Sequence, residues 1–496
     1  MYAGIDCGTQ GTKVVIYDSQ SGSTVGLGYA EHELISKADG TREQQPSWWI
    51  SALTKAMKQA LQTNQLNAAD IKALAVSGQQ HGLVVLDEHD QVIRAAKLWN
   101  DTSTHQENEQ LVAALGGKKG VIDTLGLMIN TGYTASKILW LKQYEPENYQ
   151  RVRSILLPHD YINFWLTDEK TTERGDASGT GYFDINKRCW SALALQCIDS
   201  ERELLSCLPR IICADQSAGL LSAKAAAALG LKPGIVVASG GGDNMMGAIG
   251  TGNIEPGQVT ISLGTSGTVY ANMDRPCVDE NGLIAGFCSS SDSWLPLICT
   301  MNLTNVTSQT QSLLQIDYST MDQMLEQTSI GAQGLLMLPF LNGERTPEMP
   351  TATGSLVGLN ASNFTRENLY RATVEGTSFG LKYGLDLLRK QGLEATEIRL
   401  IGGGAKSKQW RQILADMLNL PVVVPMETEA GALGAALQAQ WCHQHVSGNH
   451  VTLKSVCDIG VKLDESSRCQ PRIKNVGDYQ KVYDSYQQYK QQLYAV

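Results

Sequence analysis

The chain has 496 residues, of which 42% are hydrophobic and 48 are glycine, and its formal net charge is −10. That length exceeds what one compact core supports and predicts two domains, while the acidic balance, with no basic run, excludes a protein built to grip a nucleic-acid backbone. Eleven cysteines without a Cys-x-x-Cys pair or a Cys/His spacing suited to zinc exclude a disulfide framework and a zinc site.

Met1 leads into Tyr2-Ala3-Gly4-Ile5-Asp6 with no basic leader, apolar signal core or bilayer-length stretch, so a cytoplasmic location is expected, with no membrane partner. Strands are expected at about 2–6, 12–18 and 24–31. The turn between the first two is Asp6-Cys7-Gly8-Thr9-Gln10-Gly11-Thr12-Lys13. Its glycines permit positive φ and expose backbone N–H groups, and its threonine hydroxyls add donors. Such a turn suits an anionic oxygen, and taken alone it equally suits a plain hairpin. Cys7 reads as a small filler. A helix is expected after Pro46, with Ser47 as N-cap, Trp49, Leu53, Met57, Ala60 and Leu61 on its buried face, and the pair Trp48-Trp49 in the core.

A buried strand follows at 71–77, and Gln80 and His81 emerge at its carboxyl end, where ligands commonly bind in open α/β sheets. Trp99, Asn100 and Asp101 offer a wall and polar groups, with Trp99 equally suited to a core. Gly234 to Ala238 reads as another buried strand, Gly240-Gly241-Gly242 as a crossing, and a helix of small residues is expected from Met245, which makes Asp243 by itself an N-cap. The domain boundary is placed near residue 250, giving domains 1–250 and 251–496.

The glycine–threonine turn then recurs as Ser262-Leu263-Gly264-Thr265-Ser266-Gly267-Thr268, again between apolar runs. Recurrence favours two halves of one polyphosphate clamp over two unrelated hairpins. Ser262 stands at the counterpart of Asp6, so a metal-linked carboxylate is expected on one side only. Further on, a strand at 397–401 runs into Gly402-Gly403-Gly404-Ala405 and a helix around Trp410. A second small-residue helix covers 429–436, where close helix packing explains Gly431 and Gly434 as well as a flat ligand would. The Gln/Tyr-rich stretch from Tyr479 to Leu493 reads as a helix on the surface, with a subunit contact, and hence a homodimer, left open.

Together the two turns, the crossing at 240–244 and the strand end at 402–405 resemble the FGGY family of carbohydrate kinases. Gly132-Tyr133-Thr134-Ala135-Ser136-Lys137-Ile138-Leu139-Trp140-Leu141 is similar to most of that family's first signature, from which Tyr144 departs. Gly354 to Leu359, continuing to Leu369 and Ala372-Thr373-Val374-Glu375, is similar to the second. The resemblance spans nearly the whole chain. It implies an α/β fold of two ribonuclease H-like domains, the sugar kinase, actin and Hsp70 ATPase fold, with a cleft between them.

It also implies phosphoryl transfer from ATP, with Mg²⁺, to a sugar hydroxyl. Asp243 would be the general base, with Gln80, His81 and Asn244 on the sugar. Gly8, Thr9, Lys13, Gly264 and Thr265 would meet phosphates, and Gly403 and Gly404 the adenosine. Asp6 would sit near Mg²⁺, acting through water. Ser77-Gly78-Gln79-Gln80-His81-Gly82, Leu98-Trp99-Asn100-Asp101 and Gly343-Glu344-Arg345-Thr346-Pro347 resemble the xylulose kinase branch, which implies D-xylulose as substrate and D-xylulose 5-phosphate as product. Glycerol kinases resemble the chain less, because they place an Arg-Glu pair at Gln80-His81. A kinase of another ketose or polyol, such as L-ribulose or L-fuculose, stays open. An actin- or Hsp70-like ATPase would not need Gln80, His81 and Asp243 together, and a sensor without catalysis would not need Asp6, Lys13, Thr265 and Asp243 intact.

Overall fold

The computed structural model describes residues Met1 to Val496. It divides into two compact units: Met1–Ile254 with Met273–Leu295 and Glu429–Val461, and Glu255–Asn272 with Pro296–Thr428 and Lys462–Val496. The first change of unit falls near residue 250, as expected, and the later segments Met273–Leu295 and Glu429–Val461 return to the first unit. No helix is long and apolar enough to cross a membrane.

The main sheet of the first unit runs in the order Ser217–Leu220, Val236–Ala238, Ala73–Gly78, Tyr2–Cys7, Gly11–Asp18, Ser23–Glu31. Tyr2–Cys7 pairs antiparallel with Gly11–Asp18 and parallel with Ala73–Gly78. The central strands are covered on both faces, which is why their sequences are small and apolar almost throughout instead of alternating with polar residues. Period-two geometry sends Ala3, Ile5, Leu74 and Val76 to a core with Trp49, Leu53, Ala56 and Met57 of helix Pro46–Gln62. It sends Tyr2, Ala73 and Ala75 to a second core with Ile249, Leu433, Ala436 and Leu437. That second core is roofed by helices Asp243–Gly250 and Ala430–Val446.

The second unit repeats the plan. Gln258–Leu263 pairs antiparallel with Gly267–Ala271 and parallel with Glu397–Ile401, and the sheet extends through Val422–Pro425 to Leu463–Cys469. In both units the hairpin's first strand thus lies beside a later parallel strand, so the duplicated turn sits in a duplicated topology.

Two local expectations change and a third is sharpened. The helix at 46 is capped by Gln45 with Pro46 at N1, where the missing N–H costs nothing, so Ser47 lies inside the first turn; Trp49 is buried but Trp48 is only partly so. Helix Asp243–Gly250 is capped by Gly242, which makes Asp243 its first residue and not its N-cap. The C-terminal helix Ile473–Tyr494 lies on the surface as expected, but its inner face is apolar, with Tyr479, Tyr483 and Tyr486 buried. Tyr483 and Tyr486 pack on Phe379, and Tyr479 receives a 2.8 Å hydrogen bond from Arg371.

Candidate active site

The expected reason for glycine in the two turns is not the operative one. None of Gly8, Gly11, Gly264 and Gly267 adopts a positive φ. Space decides instead. A Cβ on Gly11 would lie 2.5 Å from the Tyr29 ring and 2.7 Å from the Ala30 carbonyl, and one on Gly267 would lie 2.7 Å from Thr300 Oγ1, so both sites are too crowded for a side chain. The first glycine of each turn has more room: a Cβ on Gly8 would have no neighbour closer than 3.7 Å, and one on Gly264 would be tight only against its own turn, 3.2 Å from the Ser266 carbonyl oxygen. Each turn therefore has one glycine that lets the sheet close and one that leaves the turn bare. Pairing differs slightly, with Cys7 opposite Thr12 in the first copy and Leu263 opposite Gly267 in the second.

Asp6 is the last residue but one of the first strand, with Lys13 opposite it on one side and Ser77 on the other. Ser77 Oγ donates to Asp6 Oδ1 at 2.7 Å. Burial raises the Asp6 carboxyl pKa, against the opposing effects of Ser77 and of the Lys13 charge. Lys13 Nζ lies 2.5 Å from Glu429 Oε2. Burial alone would lower the Lys13 pKa, but the Glu429 carboxylate more than offsets it and the value is raised. Thr9 Oγ1 donates to Gln79 Oε1 at 3.2 Å and accepts from Trp99 Nε1 at 2.9 Å.

At the carboxyl end of the Ala73–Gly78 strand, Gln80 meets the start of helix Asp243–Gly250. Asn244 Nδ2 donates to Gln80 Oε1 and to Asp243 Oδ1, each at 2.9 Å, and Asn244 N donates to Asp243 Oδ1 at 2.7 Å. Asp243 is half-buried. Burial and the nearby carboxylates of Asp6 and Asp176 push its carboxyl up to about 7, against the two Asn244 donors. His81 takes a left-handed φ of 62° and stacks its ring on Tyr133 at 4.5 Å between centroids. Asp6, Gly8, Thr9, Lys13, Gln80, His81, Asp243 and Asn244 thus all belong to the first unit. In the second unit, Gly264 and Thr265 follow Leu263, and Cβ atoms on Gly402 and Gly404 would both collide with Leu263, so Gly403 and Gly404 border the second turn. A Cβ on Gly403 would meet nothing within 4 Å.

From sequence one neighbour of the candidate site was left open and two were missed. Trp99, assigned either to the core or to a wall, is 39% exposed and bonded to the first turn. Lys137, inside the first signature string, is fully buried and donates to the His81 carbonyl at 2.5 Å and to the Gly132 carbonyl at 2.6 Å; a lysine on a helix reads as solvated, and only its place in the signature hinted otherwise. Burial drives its pKa well below the usual lysine value. Lys137→Met is expected to strand the Gly132 carbonyl at about 1–3 kcal/mol, read as a lower denaturant midpoint, and to loosen the strained His81 backbone, whose carbonyl keeps only the Thr134 hydroxyl at 3.2 Å. The third neighbour is the buried pair His159 and Asp176, 2.6 Å apart.

Residues 1–250 match the N-terminal domain, and residues 259–442 the C-terminal domain, of the FGGY family of carbohydrate kinases. The chain is 48% identical to the xylulose kinase of Haemophilus influenzae over 498 aligned positions, covering 100% of both chains. It is 36% identical to that of Streptomyces rubiginosus, covering 88% of this chain and 87% of the other. Among solved structures, the xylulose kinase from Bifidobacterium adolescentis superposes with a TM-score of 0.82 at 32% identity, covering 97% of this chain and 98% of that one. With both family domains matched in order and a bare-glycine turn in each sheet, the chain belongs to the FGGY family of carbohydrate kinases.

Proposed function

We propose that this protein transfers the γ-phosphoryl group of ATP to D-xylulose, giving D-xylulose 5-phosphate and ADP. The observation that carries this reading is the joined set Gln80, Asn244 and Asp243, in a chain 48% identical along its whole length to a xylulose kinase. Asp243, held near 7, accepts the proton of the attacking 5-hydroxyl as that oxygen bonds to phosphorus and the bond to ADP breaks. Gln80, His81 and Asn244 hold the sugar's other oxygens.

The residues fit a metal-bound nucleotide. Gly8, Gly264 and Gly403 leave bare backbone where a side chain would block an approaching phosphate or sugar. Asp6 is a half-buried carboxyl whose raised pKa a nearby cation would bring back down. Mg²⁺, when bound, neutralises phosphate charge; Asp6 would hold it through water. Lys13 exchanges Glu429 for a phosphate oxygen, and Gly8, Thr9, Gly264 and Thr265 turn their donors to the phosphates.

Gly8→Ala is expected to leave the melting temperature within about 2 °C of wild type, because the methyl has room, while raising the KM for ATP about tenfold or more. An unchanged KM would remove this turn from nucleotide binding. The assignment itself is tested by ADP formation with a panel of D-xylulose, L-ribulose, L-fuculose and glycerol. Turnover with D-xylulose at least ten times that with the others is the expected result, and a preference for another sugar overturns the substrate.

A further inference from the structure

Behind Gln80 lies a group of side chains with no hydrogen bond to the turns or to the base, although the Asp176 charge helps to raise the Asp243 pKa. His159 and Asp176 are both fully buried, and His159 Nδ1 sits 2.6 Å from Asp176 Oδ2. Besides His159 Nε2, two polar atoms at this point are buried with no hydrogen-bond partner: Gln80 Nε2, which only donates, and Asp176 Oδ1, which is left to accept. They are complementary, and the Gln80 amide stabilises the Asp176 carboxylate against a burial that pushes its pKa well up. The approach is tight, since a Cβ on Gly242 would lie 2.8 Å from Gln80 Cδ and one on Gly78 would lie 2.7 Å from His159 Cβ.

The other end of the Gln80 amide faces the candidate base. Gln80 Oε1 accepts from Asn244 Nδ2, and that same nitrogen donates to Asp243 Oδ1. A side-chain amide has two unlike ends, so its direction matters. Turned end for end, Gln80 would set oxygen against the Asp176 carboxyl and N–H against the Asn244 N–H groups. Two repulsive contacts would replace two favourable ones.

We propose that His159 and Asp176 are a positioning pair that fixes the direction of the Gln80 and Asn244 amides, so that Asn244 Oδ1 faces the sugar as an acceptor and Asp243 keeps one oxygen for the attacking hydroxyl. The direction survives either charge state: wherever the proton between Nδ1 and Oδ2 resides, Oδ1 of Asp176 stays an acceptor. The proposal rests on the sugar-kinase reading of the same site and adds to it the residues that set its polarity.

The test compares Asp176→Asn with Asp176→Leu in sugar-dependent ADP formation by the full chain. The asparagine can give its N–H to His159 and its oxygen to Gln80, preserving the direction, so its kcat/KM for sugar is expected within about fivefold of wild type. The leucine removes the acceptor, and a loss of about 100-fold in kcat/KM for sugar is expected, the scale of a small misplacement in the site, with the KM for ATP within twofold. If the leucine variant does not fold, the double variant His159→Leu with Asp176→Leu, which orphans neither partner, replaces it. A folded leucine variant with wild-type sugar kinetics overturns the proposal. Equal losses in both variants overturn it too, because they would make the carboxylate charge, and not amide direction, the requirement. A wild-type chain that turns over no sugar removes the functional reading instead. The pair is then judged by neutron diffraction: deuterons on the Gln80 nitrogen pointing at Asp176 support it, and deuterons pointing at Asn244 overturn it.

Discussion

Replacing Asp243 with alanine is expected to lower kcat by about 10²- to 10⁴-fold, the usual worth of a general base, with the fold retained. The side chain starts helix Asp243–Gly250 and is half-buried, so its loss opens no large cavity. Because burial and the Asp6 and Asp176 carboxylates push its carboxyl up to about 7, kcat/KM for sugar should rise about tenfold per pH unit below 7 and level off above it. The same shift makes a stability prediction of definite sign. The folded pKa lies above the unfolded value of about 3.9, so the folded chain binds more protons between roughly pH 4 and 7 and loses stability as pH rises through that window. Asp243→Asn removes this cost. Its melting temperature should match wild type near pH 4 and exceed it increasingly up to pH 7, with the gain constant beyond. A gain equal at pH 4 and pH 8, or a kcat reduced by less than a few-fold in the alanine variant, would take Asp243 out of its role.

Most of what the sequence made legible came from repetition and from string matches, and what it hid came from three dimensions. Gly8 and Gly264 stood out because the same turn occurs twice, yet their bareness is visible only when the crowding at Gly11 and Gly267 is set beside it. Asp243 as an isolated residue looked like a cap; the helix starts one turn-position earlier because Gly242 takes the cap's extended backbone, leaving the carboxylate at N1. Lys137, His159 and Asp176 are buried titratable side chains, which local patterning assigns to solvent, because their partners are carbonyls and side chains distant in sequence. The C-terminal stretch was legible as a surface helix but its inner face was not: its hydroxyls and glutamines read as polar, whereas the spacing 479, 483, 486 puts three rings on one buried helix face. The return of Glu429–Val461 to the first unit had no local signal, since nothing in the composition near residue 429 marks a crossing.

The other large effect expected is at Gly434. Alanine has the better helix propensity by about 1 kcal/mol, so on a free helix Gly434→Ala would stabilise. Here a Cβ would sit 1.8 Å from the Met246 carbonyl oxygen and 2.8 Å from the Gly250 nitrogen. Both obstacles are backbone, so no rotamer change relieves them, and the helices must part. Overpacking a core with movable side chains costs about 1–3 kcal/mol, and this collision should exceed that, a large share of a typical stability of 5–15 kcal/mol. The same close approach is built reciprocally: Cβ atoms on Gly250 and Gly4 would each lie 1.8 Å from carbonyls of Ala430 and Ala432. It also serves the site, because it brings Gly431 against the Asp6 carboxylate and Glu429 onto Lys13. Gly434→Ala is therefore expected to be insoluble or to melt more than about 10 °C below wild type. Gly477→Ala, in an exposed helix position where a Cβ meets nothing within 4 Å, should instead gain about 0.5–1 kcal/mol. If the two variants melted alike, backbone contact between helices Asp243–Gly250 and Ala430–Val446 would not be what sets the spacing of Asp6, Lys13 and Glu429.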